Sequence, residues 1–252
     1  MLRLRQVALV AGERDRVVDQ LRAVLGIEVA YRDPEIGRLG LHNAVLPVGE
    51  QFLEVVAAVD PDTAAERYLA RRGGDSGYMV IIQTDEHAAH RQRVEELGVR
   101  VVARFDAEGF TDMQLHPADT GGAFLEIDQQ DGDGWHPAGP DWRQAVRTEV
   151  TRGIVGVELE CHDPTAVGPR WSQILGRPLD AGAADAPPTL RLDGAAISFV
   201  PTAGERGEGL VGVGVDVADA ELLQRRAEQA GLPADADGVV IGGVRFRAQP
   251  RE

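Results

Sequence analysis

Lysine is absent from this chain: all 26 of its basic residues are arginine. That excludes Schiff-base chemistry on a side-chain amine and a phosphate-binding P-loop of the usual kind, both of which need lysine. Cysteine occurs once, at Cys161, which excludes an intrachain disulfide and an all-cysteine metal site. Its apolar surroundings suit a buried, inert thiol better than a nucleophile. Positive charge is in deficit, with a formal net charge of −15 over 252 residues. Neither nucleic acid nor an anionic membrane surface is therefore expected as the main partner, since both need a basic face. No apolar run approaches the roughly 20 residues of a membrane span. The apolar run at residues 7–11 is too brief for a signal peptide, and a cytoplasmic location is expected. A Gly-x-Ser-x-Gly elbow and a His-Glu-x-x-His helix are both missing, so common hydrolase classes find no support. The glycine-rich stretch at 204–214 reads as a turn between structural units, because no phosphate-loop pattern leads from it into a helix.

What the chain does contain is a repeat. Phe52-Leu53-Glu54 returns as Phe124-Leu125-Glu126, 72 residues later, and Leu25-Gly26 returns as Leu97-Gly98 at the same interval. Leu41-His42 and Leu115-His116 also recur, each ahead of its Phe-Leu-Glu. Both glutamates lie in apolar runs that suit buried strands, where an isolated carboxylate is costly unless it is paired, protonated or metal-bound.

Around these letters the pattern reads β-α-β-β-β. In the first unit, a strand at 5–11 and a helix at 15–25 precede strands at 27–31, 38–48 and 51–57. In the second, a strand at 78–84 and a helix at 86–97 precede strands near 99–105, 110–116 and 122–127. A helix at 61–72 links them. Two further units follow from residue 153, the last short by about one strand. The predicted organisation is a first domain at 1–128, a linker at 129–150 where Gly, Asp and Pro crowd around Trp135 and His136, and a second domain at 151–252.

Such units, with a polar residue on the first strand and a glutamate on the last, resemble the glyoxalase-like, or vicinal oxygen chelate, superfamily. Gln6-Val7-Ala8-Leu9-Val10 is similar to that family's opening strand. The run from His116 through Pro117 and Gly121-Gly122 to Glu126 is similar to its closing hairpin, as in methylmalonyl-CoA epimerases. The resemblance implies an α+β fold of tandem βαβββ modules, paired one with two and three with four into two cup-shaped mixed sheets. It also implies a divalent metal ion held by Gln6, Glu54, Glu126 and a fourth residue opposite Gln6. The 72-residue register puts Tyr78 there and a one-residue slip puts Met79, where the family usually has histidine. A phenol or thioether serves a hard ion poorly, so the ligand set is incomplete. His42 or His116 completes it only by pointing into the cup, which one residue of register decides. In the second half, Ile154 or Val155 stands where Gln6 stood and Ser198 or Phe199 where Glu54 stood. That half is expected to be a degenerate copy without a metal site.

Two functional readings follow. In the first, Gln6, Glu54 and Glu126 hold a metal while Glu54 or Glu126 moves a proton, in isomerase, epimerase, lyase or dioxygenase chemistry. In the second, a metal-free cup lined by Phe52, Phe124, Tyr78 and Met79, with His42 and His116 nearby, sequesters a small molecule, as resistance members of the family do. Without a metal, two carboxylates sharing the cup repel, which is expected to raise one pKa toward the range useful for proton abstraction. Edge strands leave room for a homodimer. His87 and His90, spaced along a charged helix, are expected on a solvated face.

Overall fold

The computed structural model describes residues 1–180 and 186–250. Its elements run β1 (Leu2–Val10), α1 (Arg14–Leu25), β2 (Leu41–Val48), β3 (Gln51–Ala58), α2 (Ala64–Arg72), β4 (Ser76–Thr84), α3 (His87–Glu96), β5 (Val101–Ala107), β6 (Phe110–Leu115), α4 (Pro117–Thr120) and β7 (Phe124–Gln130). The second half continues with β8 (Thr151–Cys161), α5 (Pro164–Leu175), β9 (Leu179–Asp180), β10 (Thr189–Leu192), β11 (Ala195–Pro201), β12 (Gly209–Val217), α6 (Ala220–Gln229), β13 (Ala234–Asp235), β14 (Gly238–Ile241) and β15 (Val244–Ala248).

Local chemistry sets the helices. Val17, Val18, Leu21, Val24 and Leu25 make one buried stripe on α1, and Gly26 ends it in the left-handed region at φ 67°, a conformation that penalises any side chain. In α5 the Asp163 carboxylate accepts from the backbone N–H groups of Thr165 and Ala166, and Pro164 occupies the first turn, where its missing N–H costs nothing.

The strands form two mixed sheets, ordered β2-β3-β1-β4-β7-β6-β5 and β13-β14-β15-β12-β8-β11-β10-β9. In each, the first strands of two modules pair antiparallel at the centre, and each pairs in parallel with its own module's last strand. The helix-side faces of both sheets share one apolar core, from Leu2 and Leu21 to Leu210 and Phe246. A smaller apolar cluster fills part of the first cup.

Three expectations about the modules change. Residues 27–31 form no strand, only a bridge between Tyr31 and Val45; the chain turns away at Asp33-Pro34, where the Asn43 side-chain oxygen accepts from the Asp33 N–H at 2.9 Å. The fourth module is not short of a strand, since β13 supplies it as a two-residue stub. The supposed linker at 129–150 completes β7 and then folds into the first cup, where Trp135 and Trp142 are buried.

One irregularity recurs at the centre of both sheets. A single-residue bulge at Arg5, Tyr78, Val155 and Val211 immediately precedes Gln6, Met79, Gly156 and Gly212. Each of these four lies seven residues before its helix N-cap, at Glu13, Glu86, Asp163 and Asp219. A bulge flips the side-chain alternation, so this shared defect fixes which residues are equivalent across the modules. Met79, not Tyr78, is the counterpart of Gln6. In the second half the counterpart is Gly156, not Ile154 or Val155.

Candidate functional site

Glu54 and Glu126 both belong to the first cup. Glu54 sits on β3 opposite Ala8, and Glu126 on β7 opposite Ile81. Gln6 donates through Nε2 to Glu54 Oε2 at 2.9 Å, and Asn43 donates through Nδ2 to Glu54 Oε1 at 2.7 Å. Burial nevertheless raises the pKa of Glu54, because these two hydrogen bonds only partly offset the desolvation of its charge. Glu126 is pushed up to about 8, first by burial and then by the neighbouring charges of Asp112 and Glu54. Asp112 is pushed up to about 6, and the fully buried Asp128 is raised as well. Glu126 and Asp128 lie two residues apart on one strand face, and both Asp128 carboxyl oxygens are buried without a hydrogen-bond partner among the described residues. At neutral pH this group retains protons, because its carboxylates cannot all ionise in one dry space.

Part of the cup is filled by the chain itself. Phe52 lies under Trp135, centroids 6.2 Å apart, and meets Trp142 edge-on at 5.0 Å. The guanidinium of Arg5, turned inward by its bulge, sits 5.0, 5.1 and 5.8 Å from the rings of Phe52, Trp135 and Trp142. Burial lowers its pKa to about 9, which still leaves it charged at neutral pH, held by the π faces and the carbonyls of Glu50 and Gly134. At the opposite side Tyr68, Tyr78 and Phe124 pack ring to ring at 4.9 to 5.9 Å. Burial pushes the Tyr78 hydroxyl up to about 12, so it stays neutral. The β5–β6 side of the cup is different: Phe105 on β5 is 46% exposed, and Asp112 and Gln114 are half-buried.

The expected metal centre does not fit these residues. The Gln6 amide oxygen, its ligand atom, accepts a 2.7 Å hydrogen bond from Trp135 Nε1, while its nitrogen is committed to Glu54. The fourth position carries a thioether. His42 cannot help: on β2 the alternation sends Asn43 and Val45 into the cup and His42 to the helix side, near Arg14 and Asp15. Neither can His116, which caps α4 by accepting from the Ala118 N–H at 3.1 Å and lies 3.3 Å from an Arg100 guanidinium nitrogen. Among the described residues, no group of three or more His, Cys, Asp or Glu is arranged to hold a metal ion.

Several site residues escaped the sequence reading. Asp128 was detectable as the next same-face position after Glu126 on a strand. Asn43 and Arg5 needed the register, and Trp135 sat in apparent linker. His87 and His90 are buried rather than solvated, 8% and 5% exposed, and burial lowers the pKa of both.

Paired βαβββ modules curled into cups are the architecture of the vicinal oxygen chelate superfamily. The chain belongs to the glyoxalase-like domain family, whose model matches residues 7–175. Among solved structures, a hypothetical protein from Staphylococcus aureus matches at a TM-score of 0.70 and 13% identity, covering 99% of this chain and 100% of that one; both halves of the fold therefore occur together elsewhere. A methylmalonyl-CoA epimerase from Streptomyces coelicolor, in complex with 2-nitronate-propionyl-CoA, matches at a TM-score of 0.46 and 22% identity, covering 52% of this chain and 98% of that one. The corresponding epimerase from Mycobacterium tuberculosis matches at 0.45 and 19%, covering 51% and 88%. No curated protein matches the chain significantly. Among the described residues, no helix is long and apolar enough to cross a membrane.

Proposed function

We propose that the protein binds a small organic molecule in the first cup without a metal ion, on the side formed by β5, β6 and β7. The observation that carries this reading is Glu126: a buried carboxyl on β7 paired with the half-buried Gln114 of β6, raised to about 8 and therefore able to donate a hydrogen bond at neutral pH. A ligand carbonyl is the complementary acceptor. Phe105, 46% exposed on β5, offers an apolar ring on this side, and Gln114 offers a further donor and acceptor. Glu54 takes no part in this contact, because both its oxygens accept from Gln6 and Asn43.

Ligand-observed NMR with benzamide, an aromatic carboxamide, tests the reading. Saturable binding that weakens at least tenfold in Glu126→Ala, and is indifferent to added zinc chloride, is expected. Stoichiometric zinc binding abolished by Gln6→Ala would favour the metal-dependent reading and sink this one.

A further inference from the structure

The second cup is built on bare backbone. Its bulge-anchored equivalents of Gln6, Glu54, Met79 and Glu126 are Gly156, Ser198, Gly212 and Arg247, from the strand registers. Gly214 and Glu158 stand where Ile81 and Ala8 stand in the first cup. A glutamate position has thus become arginine, and two central positions have lost their side chains. Glycine inside a strand weakens it and marks a place where something approaches the backbone closely.

Here the close approach comes first from Arg247 and Gln249. A Cβ on Gly212 would fall 2.5 Å from Arg247 Nη1, and one on Gly214 would overlap the Gln249 amide oxygen. Both polar groups therefore lie flat on the cup floor. Among the described residues the Arg247 guanidinium makes only an ion pair with Glu158 at 3.4 Å, both side chains being 31% exposed. A half-exposed pair of this kind contributes little to stability, so it does not account for Gly212 and Gly214, whereas Gly156 is set by sheet packing, where a Cβ would fall 2.8 Å from the Ala196 carbonyl oxygen. Val155, Glu158, Ser198, Arg247 and Gln249 surround a cavity of about 70 Å³, room for a ligand headgroup of a few atoms. Trp135 and Trp142 fill part of the first cup; here the glycine floor is buried while Val155, Glu158, Ser198 and Arg247 are half-buried and Gln249 is exposed.

We propose that this second cup binds a small carboxylate carrying a hydrogen-bond donor a few atoms away. The planar fork of Arg247 matches a carboxylate in two-point geometry. Glu158 beside it opposes a bare anion and accepts from the ligand's donor, while the Gln249 amide serves either group. The site is independent of the acid-lined first cup.

The ¹⁵N-labelled full chain, titrated with N-acetylglycine, tests the assignment by NMR. Acetate and acetamide serve as single-function controls. The Arg247 Nε–Hε and Gln249 side-chain amide signals are expected to shift saturably with N-acetylglycine, at least tenfold more tightly than with either control. Arg247→Lys removes the fork, and Gly212→Ala lifts the guanidinium off the floor; each is expected to weaken binding at least tenfold, whereas Trp135→Phe leaves it unchanged. Absence of a saturable shift, or one unaltered in a folded Arg247→Lys or Gly212→Ala chain, overturns the site. Equal affinity for acetate overturns the requirement for a donor.

Discussion

Trp135 Nε1 donates to Gln6 Oε1 at 2.7 Å across 129 residues of sequence, closing the first cup over the side chain that the family resemblance assigns to a metal. Replacing Trp135 by phenylalanine keeps a ring beside Arg5 but strands a buried amide oxygen. A loss of about 1–3 kcal/mol in urea-unfolding free energy is expected, the usual cost of an unsatisfied buried acceptor.

The same hydrogen bond governs whether a metal site can be built. Met79→His supplies the missing imidazole at the position equivalent to Gln6, yet Gln6 remains committed to Trp135 and Glu54. Calorimetric titration with zinc should therefore show at least tenfold tighter binding in Met79→His/Trp135→Phe than in Met79→His alone. Equal affinities would mean that Trp135 does not compete for the Gln6 oxygen.

Glu126 makes folding stability depend on pH. Its carboxyl is raised from 4.5 to about 8, so between these values the folded chain holds a proton that the unfolded chain has released. Its contribution is full below about pH 4.5 and is lost as pH rises through about 8, with a slope of up to about 1.4 kcal/mol per pH unit for one proton. Glu54 and Asp128, raised in the same direction, steepen the decline. Denaturation from pH 5 to 9 should show Glu126→Gln gaining on the native chain as pH rises; parallel curves would contradict the assignment.

Arg72 ties the two halves together. Only 2% exposed, it donates through Nη1 to the carbonyls of Arg206, Gly207 and Glu208 at 2.6, 2.6 and 2.8 Å, and through Nε to Ser76 Oγ at 3.1 Å. Arg72→Ala orphans these carbonyls, and a loss of about 2–4 kcal/mol is expected. Calorimetry should show a lowered midpoint and still a single transition, because both sheets share one apolar core.

Removing His42 or His116 has no such reach. Because neither points into the first cup, His42→Ala and His116→Ala should leave benzamide affinity within twofold of native. A tenfold loss in either variant would place that histidine at the ligand after all.

The repeat, the module order and the helix stops were legible in the sequence because they rest on local rules: apolar spacing along α1, glycine at Gly26, and the returning Phe-Leu-Glu. The membership of Glu54 and Glu126 in one buried place followed from the same repeat. What the letters left open was decided by register and long-range packing. A one-residue bulge determines that Met79 rather than Tyr78 answers Gln6, and alternation along β2 turns His42 away. No local signal anticipates a bulge, whose cost is set by the partner strand. Trp135 lies in a glycine- and aspartate-rich stretch that reads as linker; only the cup, with its stranded amide and buried arginine, gives that ring a place to go. The sequence alone thus determined the modules, while tertiary structure decided which side chains face each other, because strand geometry reverses a side chain's direction with a single residue of slip.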